Sequence, residues 1–142
     1  MLVSDDVLKQ ITEEVIPFHK FLNLQLLEYR EGFSKLLIPF REEVIGDPRT
    51  RRWHGGVIAT AMDSAGGIVA MGTLKSPKEK VSTIDLRIDY LRGAGPTDLT
   101  VTGELVKNGN RVISVKMQAW QENGEKLVAE GRAVFSVYRS EK

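Results

Sequence analysis

The chain has 142 residues, 42% of them apolar, and its 20 basic and 19 acidic side chains leave a formal charge of +1. That length builds one substantial core but not two ordinary domains, so residues 1–142 read as a single domain, and the near-neutral balance excludes the global field that drives nucleic-acid or anionic-membrane binding. With no cysteine and two histidines far apart, disulfides, thiolate nucleophiles and cysteine-ligated zinc are excluded and no metal is expected.

The first residues, Met1-Leu2-Val3-Ser4-Asp5-Asp6, lack the basic and apolar regions of a signal peptide, so a soluble cytoplasmic protein with no membrane partner is expected. Ser4 or Asp5 can cap a short amphipathic helix carrying Val7, Leu8, Ile11 and Val15 and ending before Pro17. Two strand-like runs, 24–30 and 33–40, meet at Glu31-Gly32 as a hairpin. Residues 41–53 contain Gly46 and Pro48 without periodicity, which marks an ordered loop or a flexible lid.

The next segment predicts a helix over 54–73. Val57, Ala61, Ser64, Ile68 and Met71 form one stripe and Ile58, Met62, Ala65 and Val69 another, so the helix is apolar around most of its circumference and must be wrapped on several sides. From Val57 to Leu74 the only ionisable side chain is Asp63. A carboxylate enclosed by apolar faces is costly unless it is paired, hydrogen-bonded or used. Gly66 and Gly67 cost about 1 kcal/mol each relative to alanine, which suggests close approach of another backbone. Four strands follow, within 84–90, 99–105, 111–121 and 126–138, each alternating to give one buried face; Asn108-Gly109-Asn110 and Asn123-Gly124 are hairpin turns. The expected fold is α+β, an antiparallel sheet wrapped around one long central helix, with a short helix at the N-terminus.

His54-Gly55-Gly56-Val57-Ile58-Ala59 followed by Asp63-Ser64-Ala65-Gly66-Gly67, with the strand Ser82-Thr83-Ile84-Asp85-Leu86-Arg87-Ile88-Asp89-Tyr90-Leu91-Arg92 beyond it, resembles the hotdog-fold acyl-CoA thioesterases, and their PaaI-like branch in particular. The resemblance implies hydrolysis of the thioester between coenzyme A and an acyl or aryl-acyl group, by a homodimer or dimer of dimers, with no cofactor beyond the coenzyme A of the substrate. It places the thioester carbonyl on the backbone N–H of Gly55, an amide that lacks an intrahelical partner at the positive end of a helix, with Gly56 keeping the turn open. Asp63 is then general base or nucleophile. Thr83 orients the water or the carboxylate, and His54 either caps the helix or positions the substrate. Ser64, Gly56 and Asp47 join the substrate-binding set. Relatives often carry Asn-Pro where this chain has Asp47-Pro48; Asp47 can pair with Arg49, Arg51 or Arg52, and a second carboxylate nearby would raise the pKa of Asp63. Trp53 is bulky enough to narrow an acyl pocket.

The nine residues from His54 to Asp63 correspond to about 13.5 Å of helix rise and about 900°, half a turn net, so Asp63 leaves the opposite face from the Gly55 end. One helix cannot serve one carbonyl with both groups. If both act on the same thioester they come from different subunits across a two-fold axis. Phosphates of coenzyme A need local cations: Arg92 and the turn from Lys107 to Arg111 are the candidates, with Arg49, Arg51 and Arg52 as alternatives and a plain solvated turn as the bland reading. A hotdog that binds acyl-CoA or another apolar ligand without turnover is the rival function. A hydratase needs a catalytic histidine with a partner acid, which His54 at a Gly-Gly turn does not match.

Overall fold

The computed structural model describes residues 4–140. Helix α1 (Asp5–Gln10) starts at Ser4, whose extended backbone and hydroxyl, accepting the Val7 N–H at 3.3 Å, satisfy one of the free amides of the first turn. A π turn, Ile11–Val15, continues it until Ile16 turns extended at ψ 112°. Pro17 dictates that break, because its ring clashes with a helical residue before it. The same proline then opens a second helix, α2 (Pro17–Phe21), which the sequence reading lacked. Proline stops a helix behind it but fits the first position of the next.

Strands β1 (Gln25–Arg30) and β2 (Phe33–Ile38) form the expected hairpin through Gly32 at φ 83°. Residues 41–53 are not a flexible lid. They fold into a 3-10 turn, Glu42–Val44, and the short strands β3 (Ile45–Asp47) and β4 (Arg52–Trp53). Val44 is fully buried, Trp53 donates its indole N–H to the Thr97 carbonyl at 2.9 Å, and His54 N–H meets the Val44 carbonyl at 2.8 Å. Helix α3 (Gly55–Met71) follows, then β5 (Lys80–Tyr90), β6 (Leu99–Asn108), β7 (Val112–Gln121) and β8 (Lys126–Tyr138). The main sheet is antiparallel throughout, in the order β1-β2-β6-β7-β8-β5.

The sheet curls around α3, which lies against β2, β5, β6, β7 and β8. Met62, Ala65 and Val69 of the helix and Leu36, Val101, Val115, Met117 and Phe135 of the strands are almost wholly buried. Each of the larger aliphatic or aromatic side chains contributes about 1.5–3 kcal/mol by leaving water. The close backbone approach expected at Gly66 and Gly67 lies elsewhere. A Cβ on Gly103 of β6 would stand 2.8 Å from the Ala65 carbonyl, which also accepts the Ser34 hydroxyl proton at 2.8 Å. Gly66 instead makes room for side chains, the Phe135 ring at 3.2 Å and the Met117 sulfur at 3.3 Å, and a Cβ on Gly67 would meet only Phe135, at 3.9 Å.

Strand β5 corrects a further expectation. Ile84 and Tyr90 are 59% and 52% exposed rather than part of a buried face. A bulge between Thr83 and Asp85 interrupts the alternation, and β5 is an edge strand with β8 on one side alone. Among the described residues no helix is long and apolar enough to cross a membrane.

Candidate active site

At the start of α3 the chain must turn from β4 into a helix whose first amides lack partners. His54 is the N-cap: its backbone is extended at φ −65°, ψ 128°, and its Nδ1 accepts the Gly56 N–H at 2.9 Å. The Gly56 amide is therefore occupied. Gly55 N–H makes no hydrogen bond among the described residues, while the Gly55 carbonyl accepts the Tyr90 hydroxyl proton at 2.7 Å. A Cβ on Gly55 would lie 3.4 Å from the Tyr90 ring, so glycine keeps this amide open beside an aromatic wall. Burial raises the Tyr90 pKa, so the phenol stays protonated and remains a donor.

Two turns along α3, Asp63 is half-buried, not enclosed. It lines a cavity of about 210 Å³ together with Ser64, Gly67, Ile68 and Met71 of the same helix face, Val81 and Thr83 of β5, Phe135 of β8, and Ile16 and His19 from the N-terminal helical segment. Thr83 donates its hydroxyl proton to Asp63 Oδ1 at 2.9 Å. His19 is 7% exposed, with Nδ1 2.9 Å from the Thr12 carbonyl and Nε2 2.9 Å from Ser64 Oγ. Burial lowers its pKa, against the opposing pull of the Thr12 carbonyl, so the ring is neutral near pH 7. The cavity thus gathers a carboxylate, two hydroxyls and a neutral imidazole among apolar walls. A carboxylate so placed can take a proton from water or attack an electrophile.

Of the residues singled out from sequence, Asp63, Ser64 and Thr83 come together here; Gly55, Gly56 and His54 do not line this cavity. The Gly55 amide and the Asp63 carboxylate are therefore parts of two separate places in one chain. Asp47 also lies outside the cavity: its Oδ1 accepts both the backbone N–H and the guanidinium of Arg49, at 3.0 and 3.3 Å, and these bonds lower its pKa. Its carboxylate serves its own turn. Trp53 packs edge-on to Phe40 and does not narrow the cavity. Arg92 is exposed just beyond β5, at the Gly55 end of α3, whereas Lys107 and Arg111 are exposed at the β6–β7 turn. That turn is tied by Arg139 to Thr73, past the other end of the helix. Three or more histidine or acidic side chains placed to hold a metal do not occur among the described residues.

His19 is the site residue that the sequence reading missed. Its signal was faint: a histidine two residues after a proline, on a helix too short to show a period.

A family profile described as the thioesterase superfamily matches residues 52–128. The chain is 30% identical to the medium/long-chain acyl-CoA thioesterases YigI of Salmonella typhimurium and Escherichia coli, over 96% of this chain and 97% of each relative. A solved protein of Shewanella oneidensis, described as related to the thioesterase superfamily, superposes with TM-score 0.82 at 29% identity over 92% of this chain and 93% of its own. A thioesterase of Haemophilus influenzae, at 19% identity, shares the fold with TM-score 0.82 over 98% of this chain and 96% of its own.

Proposed function

The chain belongs to the thioesterase superfamily, and from that premise and the Asp63 cavity we propose that it hydrolyses acyl-coenzyme A thioesters to free acid and coenzyme A. The observation that carries the reading is the Thr83 hydroxyl bonded to Asp63 Oδ1 at 2.9 Å in a cavity that otherwise holds only Ser64 and His19 as polar side chains among apolar walls. Thr83 fixes one carboxylate oxygen and leaves the other for chemistry. Asp63 either takes a proton from the attacking water or attacks the thioester carbonyl itself. In both cases the carbonyl oxygen gains negative charge, the C–S bond breaks and coenzyme A leaves as the thiolate. In a single turnover in oxygen-labelled water, unlabelled acid with the label on Asp63 marks the nucleophilic route. Aliphatic walls from Ile16, Ile68, Met71 and Val81, and relatives named for medium and long chains, favour an aliphatic acyl group of that size.

The developing oxyanion needs a donor, and the partnerless Gly55 N–H at the positive end of α3 is suited to it. Because Gly55 lies outside the Asp63 cavity of its own chain, the donor is assigned to a second copy. Strand β5 supports such a pairing. It is an 11-residue edge with one free side that carries exposed Ile84 and Tyr90, with exposed Leu91 just beyond it, and a long edge with exposed apolar side chains is a liability unless it is covered. The proposed unit is a homodimer joined along β5 with two shared sites, and the resemblance extends it to a dimer of dimers. His54 serves as cap for the Gly56 amide, which holds the Gly55 turn in shape. Coenzyme A phosphates are assigned to Lys107 and Arg111, and the location to the cytoplasm.

The test is release of free thiol from a panel of short, medium, long and aryl acyl-CoAs, read with a thiol reagent that finds no cysteine in the protein. Turnover is expected, greatest with medium to long chains. Binding of acyl-CoA with no thiol released from any of them contradicts the proposal and leaves a binding protein.

A further inference from the structure

We infer that His19 is a positioning residue for thioester hydrolysis: it fixes the direction of the Ser64 hydroxyl so that Ser64 faces the cavity as an acceptor and holds the reacting water beside Asp63. The inference rests on the proposed thioesterase reading of the Asp63 cavity. Its ground is hydrogen-bond polarity. The Thr12 carbonyl can only accept, so the nitrogen 2.9 Å from it, His19 Nδ1, carries the proton. In a neutral ring Nε2 is then bare and must accept, and its partner at 2.9 Å is Ser64 Oγ, which spends its proton there. His19 is 7% exposed, so water does not compete for either bond.

Thr83 spends its proton on Asp63 Oδ1. Both hydroxyls that line the cavity with the carboxylate are thereby committed as donors, Ser64 to His19 and Thr83 to Asp63 itself, and the cavity is left with an acceptor pair, Asp63 and its helix neighbour Ser64. A water molecule has two protons to give. Bound by both acceptors it is held in place, with its lone pairs left for the thioester carbonyl; on attack one proton passes to Asp63, the C–O bond forms and the C–S bond breaks. If Asp63 attacks first, the same water opens the mixed anhydride. Without the His19 acceptor, the Ser64 proton is free to turn into the cavity, donate to the water and engage the lone pair that must attack.

The alternative role for His19 is a clip that holds the N-terminal helices on α3. The two differ in their kinetics. Ile16, three residues before His19, is a cavity wall, so a lost clip loosens the acyl site and raises KM. Lost polarity lowers kcat. Steady-state kinetics on a medium-chain acyl-CoA are compared for wild type, Asp63→Asn, His19→Leu, Ser64→Ala and the His19→Leu/Ser64→Ala pair, with thermal melts of each. His19→Leu and Ser64→Ala are each expected to lower kcat about tenfold, a modest misplacement of a reacting group, with KM within about twofold. The pair should be no worse than either single change, because His19 acts through Ser64. Where His19→Leu fails to fold, Ser64→Ala carries the test, since alanine suits a half-exposed helical position. Unchanged kcat in Ser64→Ala, a raised KM with kcat retained, or kcat losses that multiply in the pair overturns the inference while leaving the thioesterase reading intact. Full activity in Asp63→Asn instead overturns the reading beneath it.

Discussion

Gly55→Pro separates a site built within one chain from one shared by two. Proline deletes the single amide assigned to the oxyanion, and the structure predicts that the helix tolerates it. Gly55 is the first residue of α3, the position that proline favours. His54 before it is already extended at ψ 128°, as a following proline requires. The Tyr90 ring, 3.4 Å from a Cβ at this position, must give slightly. Gly55→Ala makes the same contact yet keeps the N–H, so it reports the steric part alone. Loss of one oxyanion donor costs about 2.7–4 kcal/mol of barrier, a fall in kcat of about 100- to 1,000-fold. Asp63→Asn is expected to be inactive for a different reason, loss of the proposed base or nucleophile. Mixed in equal amounts after dissociation and reassociation, the two variants form heterodimers as about half of all dimers, and one site in each heterodimer is free of both defects. Thiol release should recover to about a quarter of wild type, at least an order of magnitude above either parent. Verified heterodimers without recovery would refute the shared site and place Gly55 and Asp63 on the same carbonyl from one chain.

Thr83→Val keeps the shape of the side chain but withdraws the proton from Asp63 Oδ1; kcat should fall about tenfold with little change in KM, and an unchanged kcat would remove Thr83 from the site. Replacing Lys107 and Arg111 together by alanine should raise KM for acyl-CoA about tenfold with kcat nearly constant, because phosphate contacts far from the carbonyl contribute uniform binding, and higher salt should weaken wild type more than the double variant; if Arg92→Ala shifts both quantities instead, the nucleotide lies at the other end of α3. Stability should also depend on pH through His19. Burial holds its pKa below the ordinary 6.5, so the unfolded chain takes up this proton first, and the stability that the neutral buried ring contributes is complete above about pH 6.5 and lost as pH falls through the folded pKa. Thermal melts at pH 7.5 and 5.5 should show a larger loss for wild type than for His19→Leu, and equal losses would contradict it.

The sequence was most legible where one local rule acted alone. Helix 54–73 differs from the observed Gly55–Met71 by a cap and a frayed end, because apolar stripes, a capping histidine and a glycine at the stop all agree. The hairpins were marked by Gly32 and by Asn123-Gly124, whose left-handed backbones few other residues adopt. Asp63 stood out as an isolated charge, and Thr83 came with the strand that faces it. Failures arose where two rules competed. Pro17 both ends one helix and starts another, and reading only the first effect hid α2 and with it His19. Ile84 alternates correctly with its neighbours, yet the bulge beside it and the open edge of β5 leave it in solvent, facts of pairing that no single strand contains. The bond between His19 and Ser64 spans 45 residues of chain, and no spacing rule reaches that far.

The central claim is that Asp63 performs the chemistry, and turnover of Asp63→Asn on a medium-chain acyl-CoA tests it most directly. The amide keeps an oxygen to accept the Thr83 proton, and the side chain is half-buried, so the melting temperature and oligomeric state should match wild type while the general base or nucleophile is gone. A fall in kcat of at least about a hundredfold is expected. Turnover within a few fold of wild type, in a variant shown to be folded, would contradict it.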